Sequence, residues 1–148
     1  MFFVLLRCVT GLVFLLSGIE KLVSPPENFL YMVRSYQVLP VGLAAPVSFL
    51  FPWVEFFVAV FLILGLWLRT ALWVALCLAA GFVFVVSQAL FRGLSISDCG
   101  CFGDLVHLQP GQVIFLDLFI FVSAGLCLLR MKQSACWSLD ACYDRYKQ

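Results

Sequence analysis

Charged side chains are scarce in this sequence of 148 residues. Asp, Glu, Lys and Arg make up 11% of it, whereas 64% of the residues are hydrophobic. A water-soluble domain needs more polar surface than this, so the composition excludes a soluble globular protein. The mean hydropathy of +1.10 agrees with that conclusion. The sequence predicts an integral membrane protein with room for about four helices of roughly 20 residues each.

Motifs for soluble cofactors are also missing. The sequence has no Gly-x-Gly-x-x-Gly fingerprint, no Walker sequence and no Cys-x-x-Cys-His haem-attachment motif, so nothing in it indicates a nucleotide or a haem. The formal net charge of +1 predicts no nucleic-acid partner. If electrons leave this protein, the acceptor must be small or another protein. A lipid-soluble quinone is the simplest candidate, because it resides among membrane helices.

Four long apolar runs alternate with polar connections. Lipid offers no hydrogen-bond partners to the backbone, so runs of this length must form helices or a closed barrel, and their continuous apolar character argues against a barrel. They predict an all-α integral membrane four-helix bundle over residues 1–131, with spans at about 2–23, 46–68, 70–91 and 112–131. We expect a short interfacial helix within 27–38 and a tight hairpin of the second and third spans at Arg69. Residues 132–148 form a short polar tail.

The basic residues predict the orientation. An even number of spans puts both termini on one side, and that side also holds the turn at Arg69. Six basic residues lie there, against three on the other side: Arg7, Arg69, Arg130, Lys132, Arg145 and Lys147, against Lys21, Arg34 and Arg92. By the positive-inside rule we expect a bacterial inner (cytoplasmic) membrane protein with both termini and the tail cytoplasmic. The connection from Arg92 to Gly111 is then periplasmic, in a compartment that allows disulfides.

The most distinctive motif is Cys99-Gly100-Cys101, on the polar connection before the last span. Glycine permits the tight turn that brings cysteines one residue apart within disulfide distance, and so small a ring is strained. Strained disulfides have higher reduction potentials, which suits a pair that passes electrons. We therefore expect a reversible redox pair and no metal. The alternatives are a stable loop disulfide and a metal site of Cys99, Cys101 and His107.

Four polar residues interrupt the apolar spans: Lys21, Glu55, Gln88 and Asp117. Counted along the predicted helices at about 1.5 Å per residue, all four fall in the outer half of the bilayer, on the side of the cysteine pair. One hypothesis is that Lys21 pairs with Glu55 or Asp117 and that the cluster relays protons or binds a quinone head group. The other is a charge pair that fixes helix packing, or a Lys21 side chain that extends to the interface.

The run Asp98-Cys99-Gly100-Cys101-Phe102-Gly103, between the last two of four spans, resembles the MauE branch of the DoxX-like membrane proteins. Two more stretches share the resemblance: Ser17-Gly18-Ile19-Glu20-Lys21-Leu22, and Glu55 followed by Leu64-Gly65-Leu66-Trp67-Leu68-Arg69. It spans nearly the whole chain. The resemblance implies a link to methylamine utilisation and a part in delivering disulfides to exported proteins, often with a thioredoxin-like partner. Cys136 and Cys142 in the tail fall outside the shared pattern.

Two classes of function follow. The first is a membrane thiol-disulfide oxidoreductase that exchanges its Cys99–Cys101 dithiol/disulfide with a periplasmic thioredoxin-like protein or an exported client, and passes electrons to quinone. The second is a noncatalytic anchor or assembly subunit of a redox enzyme, with a structural disulfide. Whether the chain is itself an enzyme stays open at this stage, and a metal or solute carrier is a third alternative.

Overall fold

The computed structural model describes residues 2–92 and 110–131. These residues form five helices and no strand: α1 (Phe2–Val23), α2 (Pro26–Ser35), α3 (Val41–Leu64), α4 (Leu68–Phe91) and α5 (Pro110–Leu129). All but α2 are long and apolar enough to cross a membrane. The all-α fold with four apolar helices is confirmed, and the chain is a multi-pass membrane protein.

The second apolar helix differs from its predicted span. α3 begins at Val41 rather than at residue 46 and ends at Leu64 rather than at residue 68. The prediction treated Pro46 as a boundary, but Pro46 and Pro52 both lie inside α3. Proline removes one backbone donor, and membrane helices tolerate this loss where neighbouring helices and side chains compensate for it.

The connection between α3 and α4 is short but does not lie at Arg69. Gly65 ends α3 with a φ of 70°, in the left-handed region that favours glycine, and its N–H donates to the carbonyl of Phe61. A left-handed residue of this kind is a common way to end a helix. α4 then starts at Leu68, so Arg69 belongs to its first turn.

The short helix α2 follows the first apolar helix, as expected. Pro26 occupies its first turn, where the missing N–H has no helical partner to lose. None of its residues is buried, and it packs mainly against α3. Its location at the membrane interface stays a prediction.

The bundle consists of two helix pairs. α1 packs most extensively against α3 and α4 against α5, while α1 also contacts α5. Consecutive α3 and α4 contact each other less than each contacts its main partner, so the expected close hairpin forms only in part. The central core is apolar and rich in alanine: Phe14, Val58, Ala59, Leu62, Leu72, Ala75, Ala79, Ile120 and Ala124.

Two glycines let α1 approach α3 closely. A Cβ added at Gly18 would lie 3.0 Å from the backbone nitrogen of Phe56, and one added at Gly11 would lie 3.3 Å from the carbonyl oxygen of Ala59. Small residues at such contacts are typical of membrane helix pairs. The close approach brings polar side chains of α1 within bonding distance of α3.

Candidate polar site inside the bundle

α1 turns its polar face inward. Arg7, Thr10, Ser17 and Lys21 are spaced three, seven and four residues apart, which places them within one stripe, and all four are buried. The opposite face consists of exposed apolar side chains: Leu5, Leu12, Leu16 and Ile19. Glu20, beside this stripe, is also buried, and it accepts a 2.8 Å hydrogen bond from Ser24. An inward polar stripe of this kind places ionisable groups inside the bundle, away from contact with lipid.

Lys21 of α1 and Glu55 of α3 form a buried ion pair. The Lys21 ammonium donates to both carboxylate oxygens of Glu55, at 2.8 Å and 3.0 Å, and to the Ser17 hydroxyl at 2.8 Å. Ser17 in turn donates to Glu55 over 3.4 Å. The two charged side chains are only 2% and 1% exposed. The predicted pairing is therefore confirmed with Glu55 as the partner, and the alternative in which Lys21 extends to the interface is wrong.

Three phenyl rings enclose the Lys21 ammonium. The Nζ atom lies 5.3 Å from the ring centre of Phe29 on α2, 5.9 Å from that of Phe51 on α3 and 5.3 Å from that of Phe82 on α4. Ring faces attract cations at this range, and more strongly in a desolvated site. Lys21 of α1 thus contacts all of α2, α3 and α4, and these contacts fix the position of its charge.

Asp117 of α5 faces the ion pair across a small cavity. The cavity has a volume of about 20 Å³, and its wall includes Ser17, Glu55, Phe82 and Asp117. Asp117 is 6% exposed, and its Oδ2 atom has no hydrogen-bond partner among the described residues. Three of the four predicted polar residues are therefore grouped in one site.

Gln88 is the exception. It lies near the C-terminal end of α4, half-buried, and its Oε1 atom has no hydrogen-bond partner within residues 2–92 and 110–131. It is not part of the wall of the Asp117 cavity.

A larger apolar pocket adjoins the site. It has a volume of about 250 Å³ and lies between α2, the first half of α3 and the middle and end of α4. Phe29, Phe51 and Phe82, which enclose Lys21, also form part of its wall. Phe82 therefore separates this pocket from the Asp117 cavity, since it lines both.

Sequence reasoning did not foresee the burial of Arg7, which is 2% exposed. The prediction used it only as one of the six basic residues on the expected cytoplasmic side. Close by on the same helix, the Thr10 and Ser123 hydroxyls form a 2.7 Å hydrogen bond between α1 and α5. The Cys127 thiol contacts the carbonyl oxygen of Phe3 at 3.6 Å. The helical spacing of Arg7, Thr10, Ser17 and Lys21 was the signal that could have identified this face.

The cysteine pair itself, Cys99 and Cys101, and the alternative metal ligand His107 lie outside the described residues. The structure describes the two helix ends that flank them in the sequence: α4 ends at Phe91 and α5 begins at Pro110. Lys21 lies near the end of α1 on this same side, and Asp117 lies in the first half of α5.

Comparison with known proteins identifies relatives over most of the chain. The family model described as methylamine utilisation protein MauE matches residues 1–130. The methylamine utilization protein MauE of Methylophilus methylotrophus is 38% identical over 91 residues, which cover 62% of this chain and 47% of that protein. The MauE of Methylorubrum extorquens is 34% identical over 76 residues, which cover 51% and 41%. The matches thus span about half the length of these curated relatives, and no solved structure matches.

Proposed function

Because the chain belongs to the MauE family, we propose that it is a membrane component of methylamine utilisation that exchanges a Cys99–Cys101 dithiol/disulfide with another protein. The partner is a periplasmic thioredoxin-like protein or an exported disulfide client. In this proposal the chain lies in the bacterial inner membrane with both termini cytoplasmic and the connection between α4 and α5 periplasmic.

The chemistry balances with one two-electron acceptor. Thiolate attack by a client on the Cys99–Cys101 disulfide gives a mixed disulfide, and a second client thiolate resolves it. The client gains a disulfide, and the pair is left as two thiols. Reoxidation of the pair removes two electrons and two protons, which together convert one quinone to a quinol. The direction of net flow depends on the partner's reduction potential.

The observation that carries the proposal is the connectivity of the cysteine pair. The connection that contains it joins the ends of α4 and α5 on the side of the bundle where Lys21 is buried. The proposal thus combines thiol chemistry at one bundle end with ionisable groups buried nearby.

The apolar pocket supports the choice of a quinone as electron acceptor. Its volume of about 250 Å³ and its phenyl, aliphatic and thiol walls suit an apolar ring with part of its tail. Phe82 keeps such a ring next to, but apart from, the Lys21–Glu55 pair.

The redox state of the pair in intact cells tests the proposed thiol chemistry. We expect Cys99 and Cys101 to resist alkylation during respiration and to accumulate as thiols when quinone turnover is blocked. Cys99→Ser is expected to abolish growth on methylamine, whereas Cys8→Ser, in the first third of α1, is the matched control. A pair that stays oxidised under both conditions and resists mild reductant would contradict the proposal and favour a structural disulfide.

Filling the pocket tests the proposed acceptor. A Cβ added at Gly81, which lines the pocket, meets no atom within 4 Å, so Gly81→Leu adds bulk at the pocket wall without a backbone clash. We expect this variant to accumulate the reduced pair during respiration. Gly42→Leu, equally unobstructed but outside the pocket wall, is the control. Normal oxidation of the pair in the Gly81 variant would show that this pocket does not hold the acceptor.

The noncatalytic anchor is the second candidate, and the ion pair is the observation that favours it. The Lys21 ammonium donates two hydrogen bonds to Glu55, which hold α1 to α3, and a third to Ser17 on α1 itself, as in a purely structural contact. Glu55→Gln separates the two functions. Loss of thiol turnover with normal membrane abundance supports a part in redox chemistry, whereas loss of the protein itself supports a packing role.

A further inference from the structure

The cavity beside Asp117 has the size and chemistry of a site for one water molecule. About one water-sized sphere fits in its volume of about 20 Å³. Its polar wall groups are the Ser17 hydroxyl and the carboxyl groups of Glu55 and Asp117. The Oδ2 atom of Asp117, in a side chain that is more than nine-tenths buried, has no partner among the described residues. A buried polar atom of this kind requires a partner, and an ordered water supplies one.

The charges around the cavity do not cancel. The charged groups that act on Asp117 are Lys21 on α1 and Glu55 on α3, so two acids face one base. Glu20 also acts on Glu55, but it is not in the cavity wall, and its carboxylate accepts a hydrogen bond from Ser24. α4 contributes Phe82 and no ionisable side chain to that wall. An unpaired charge in so apolar a setting is costly, and a bound proton removes it.

We propose that the cavity between Glu55 and Asp117 is a proton-binding site, in which one water bridges the two carboxyl groups and one proton is shared by them. Lys21 balances one of the two acids, and the proton balances the other. The existence of this site is independent of the thiol chemistry. Its use in turnover rests on the proposed function, where the site holds one of the two protons that pass between the thiols and the quinone.

Infrared spectroscopy of the purified full-length chain tests the site directly. A protonated carboxyl group has a C=O band that shifts when the protein is moved from H₂O to D₂O. We expect one such band at neutral pH in the unmodified protein, and we expect both Asp117→Asn and Glu55→Gln to lose it. Either change leaves one acid beside Lys21, so no extra proton is needed. Absence of the band from the unmodified protein would overturn the proposal, even if no variant folds.

Three further variants make the test specific. Glu20→Gln changes an acid outside the cavity wall and is expected to leave the band in place. Lys21→Met removes the base and is expected to raise the band area about twofold. Ser17→Ala keeps both acids and is expected to shift the band without removing it, because the bridging water loses a partner. Retention of the band in Glu55→Gln with loss in Asp117→Asn would assign the proton to Asp117 alone and overturn the shared site.

These measurements are independent of cysteine reactivity, so the two proposals fail separately. A shared proton together with a permanently oxidised Cys99–Cys101 pair would retain the site and reject the redox function. A Cys99–Cys101 pair that cycles between thiols and disulfide, without the infrared band, would retain the redox function and reject the proton site.

Discussion

The two main helix pairs of this bundle are held together in different ways. α1 and α3 meet through glycine contacts and the buried Lys21–Glu55 pair. α4 and α5 meet through small apolar side chains, with Ala75 and Ala79 of α4 and Ala124 of α5 in the core. No salt bridge joins α4 to α5 in the part of the chain that the structure describes.

The difference shows which contacts determine how the helices pair. Lipid tails are as apolar as leucine, so burial of apolar side chains does not by itself favour one helix partner over another. The α4–α5 contact described above rests on the fit of small apolar side chains, whereas the α1–α3 contact also requires opposite charges at matching heights. The charges therefore permit only one register of α1 against α3, and we expect disruption of this pair to lower stability more than disruption of α4 and α5.

The largest effect is expected from Glu55→Leu. This change leaves the Lys21 ammonium without its two bonds to Glu55, and breaking one side of a buried ion pair costs about 3 to 5 kcal/mol. We expect a lower free energy of unfolding in a detergent titration and lower abundance in membranes.

The double variant Lys21→Met with Glu55→Leu is the control for this change. It removes both charges, so most of the lost stability should return. A single variant as stable as the unmodified protein would show that the pair does not hold α1 against α3.

A smaller effect is expected from Gly18→Leu. The added Cβ lies 3.0 Å from the nitrogen and 3.3 Å from the Cα of Phe56, and backbone atoms cannot move aside as a side chain can. Overpacking of this kind costs about 1 to 3 kcal/mol, measured as before by unfolding in detergent.

Gly125→Leu provides the comparison within α5. Its added Cβ lies 3.8 Å from the Leu76 side chain of α4, which is an ordinary contact. Equal destabilisation by the two substitutions would contradict the view that Gly18 faces the backbone of its partner helix more closely than Gly125 does.

The smallest effect is expected from Ser123→Ala, which removes the hydrogen bond between Thr10 and Ser123. This bond links α1 of one pair to α5 of the other. Side-chain hydrogen bonds between membrane helices contribute about 0.6 kcal/mol on average, so we expect a loss of that order. A loss of unfolding free energy as large as that of Glu55→Leu would mean that the Thr10–Ser123 hydrogen bond stabilises the bundle as much as the ion pair does.

The sequence predicted the helices and narrowed one contact to two possible partners. Long apolar runs predicted four membrane helices, and the rarity of ionisable groups in such runs predicted that Lys21 pairs with Glu55 or Asp117, of which the structure shows Glu55. The position of Glu55 along its helix was misjudged because Pro46 was taken as a helix start, whereas α3 begins earlier and Glu55 lies past its middle. Local sequence does not show whether neighbouring helices compensate for a proline.

Other features of the site depend on tertiary packing. The phenyl rings around Lys21 come from α2, α3 and α4, and no spacing in the sequence relates Phe29, Phe51 and Phe82 to one another. The burial of Arg7 was missed because a basic residue near a helix end is usually solvated. Here helical periodicity was the better guide than charge.

The inward polar face of α1 has a consequence for biogenesis. Lys21 precedes Glu55 by 34 residues, so the ribosome delivers the ammonium to the membrane before its counter-ion exists. Until α3 is inserted, a lysine near the helix end keeps its charge hydrated by extending its side chain to the lipid head groups. Entry of α3 then draws that side chain inward, so assembly of this protein includes the dehydration of a lysine after its helix has already been inserted.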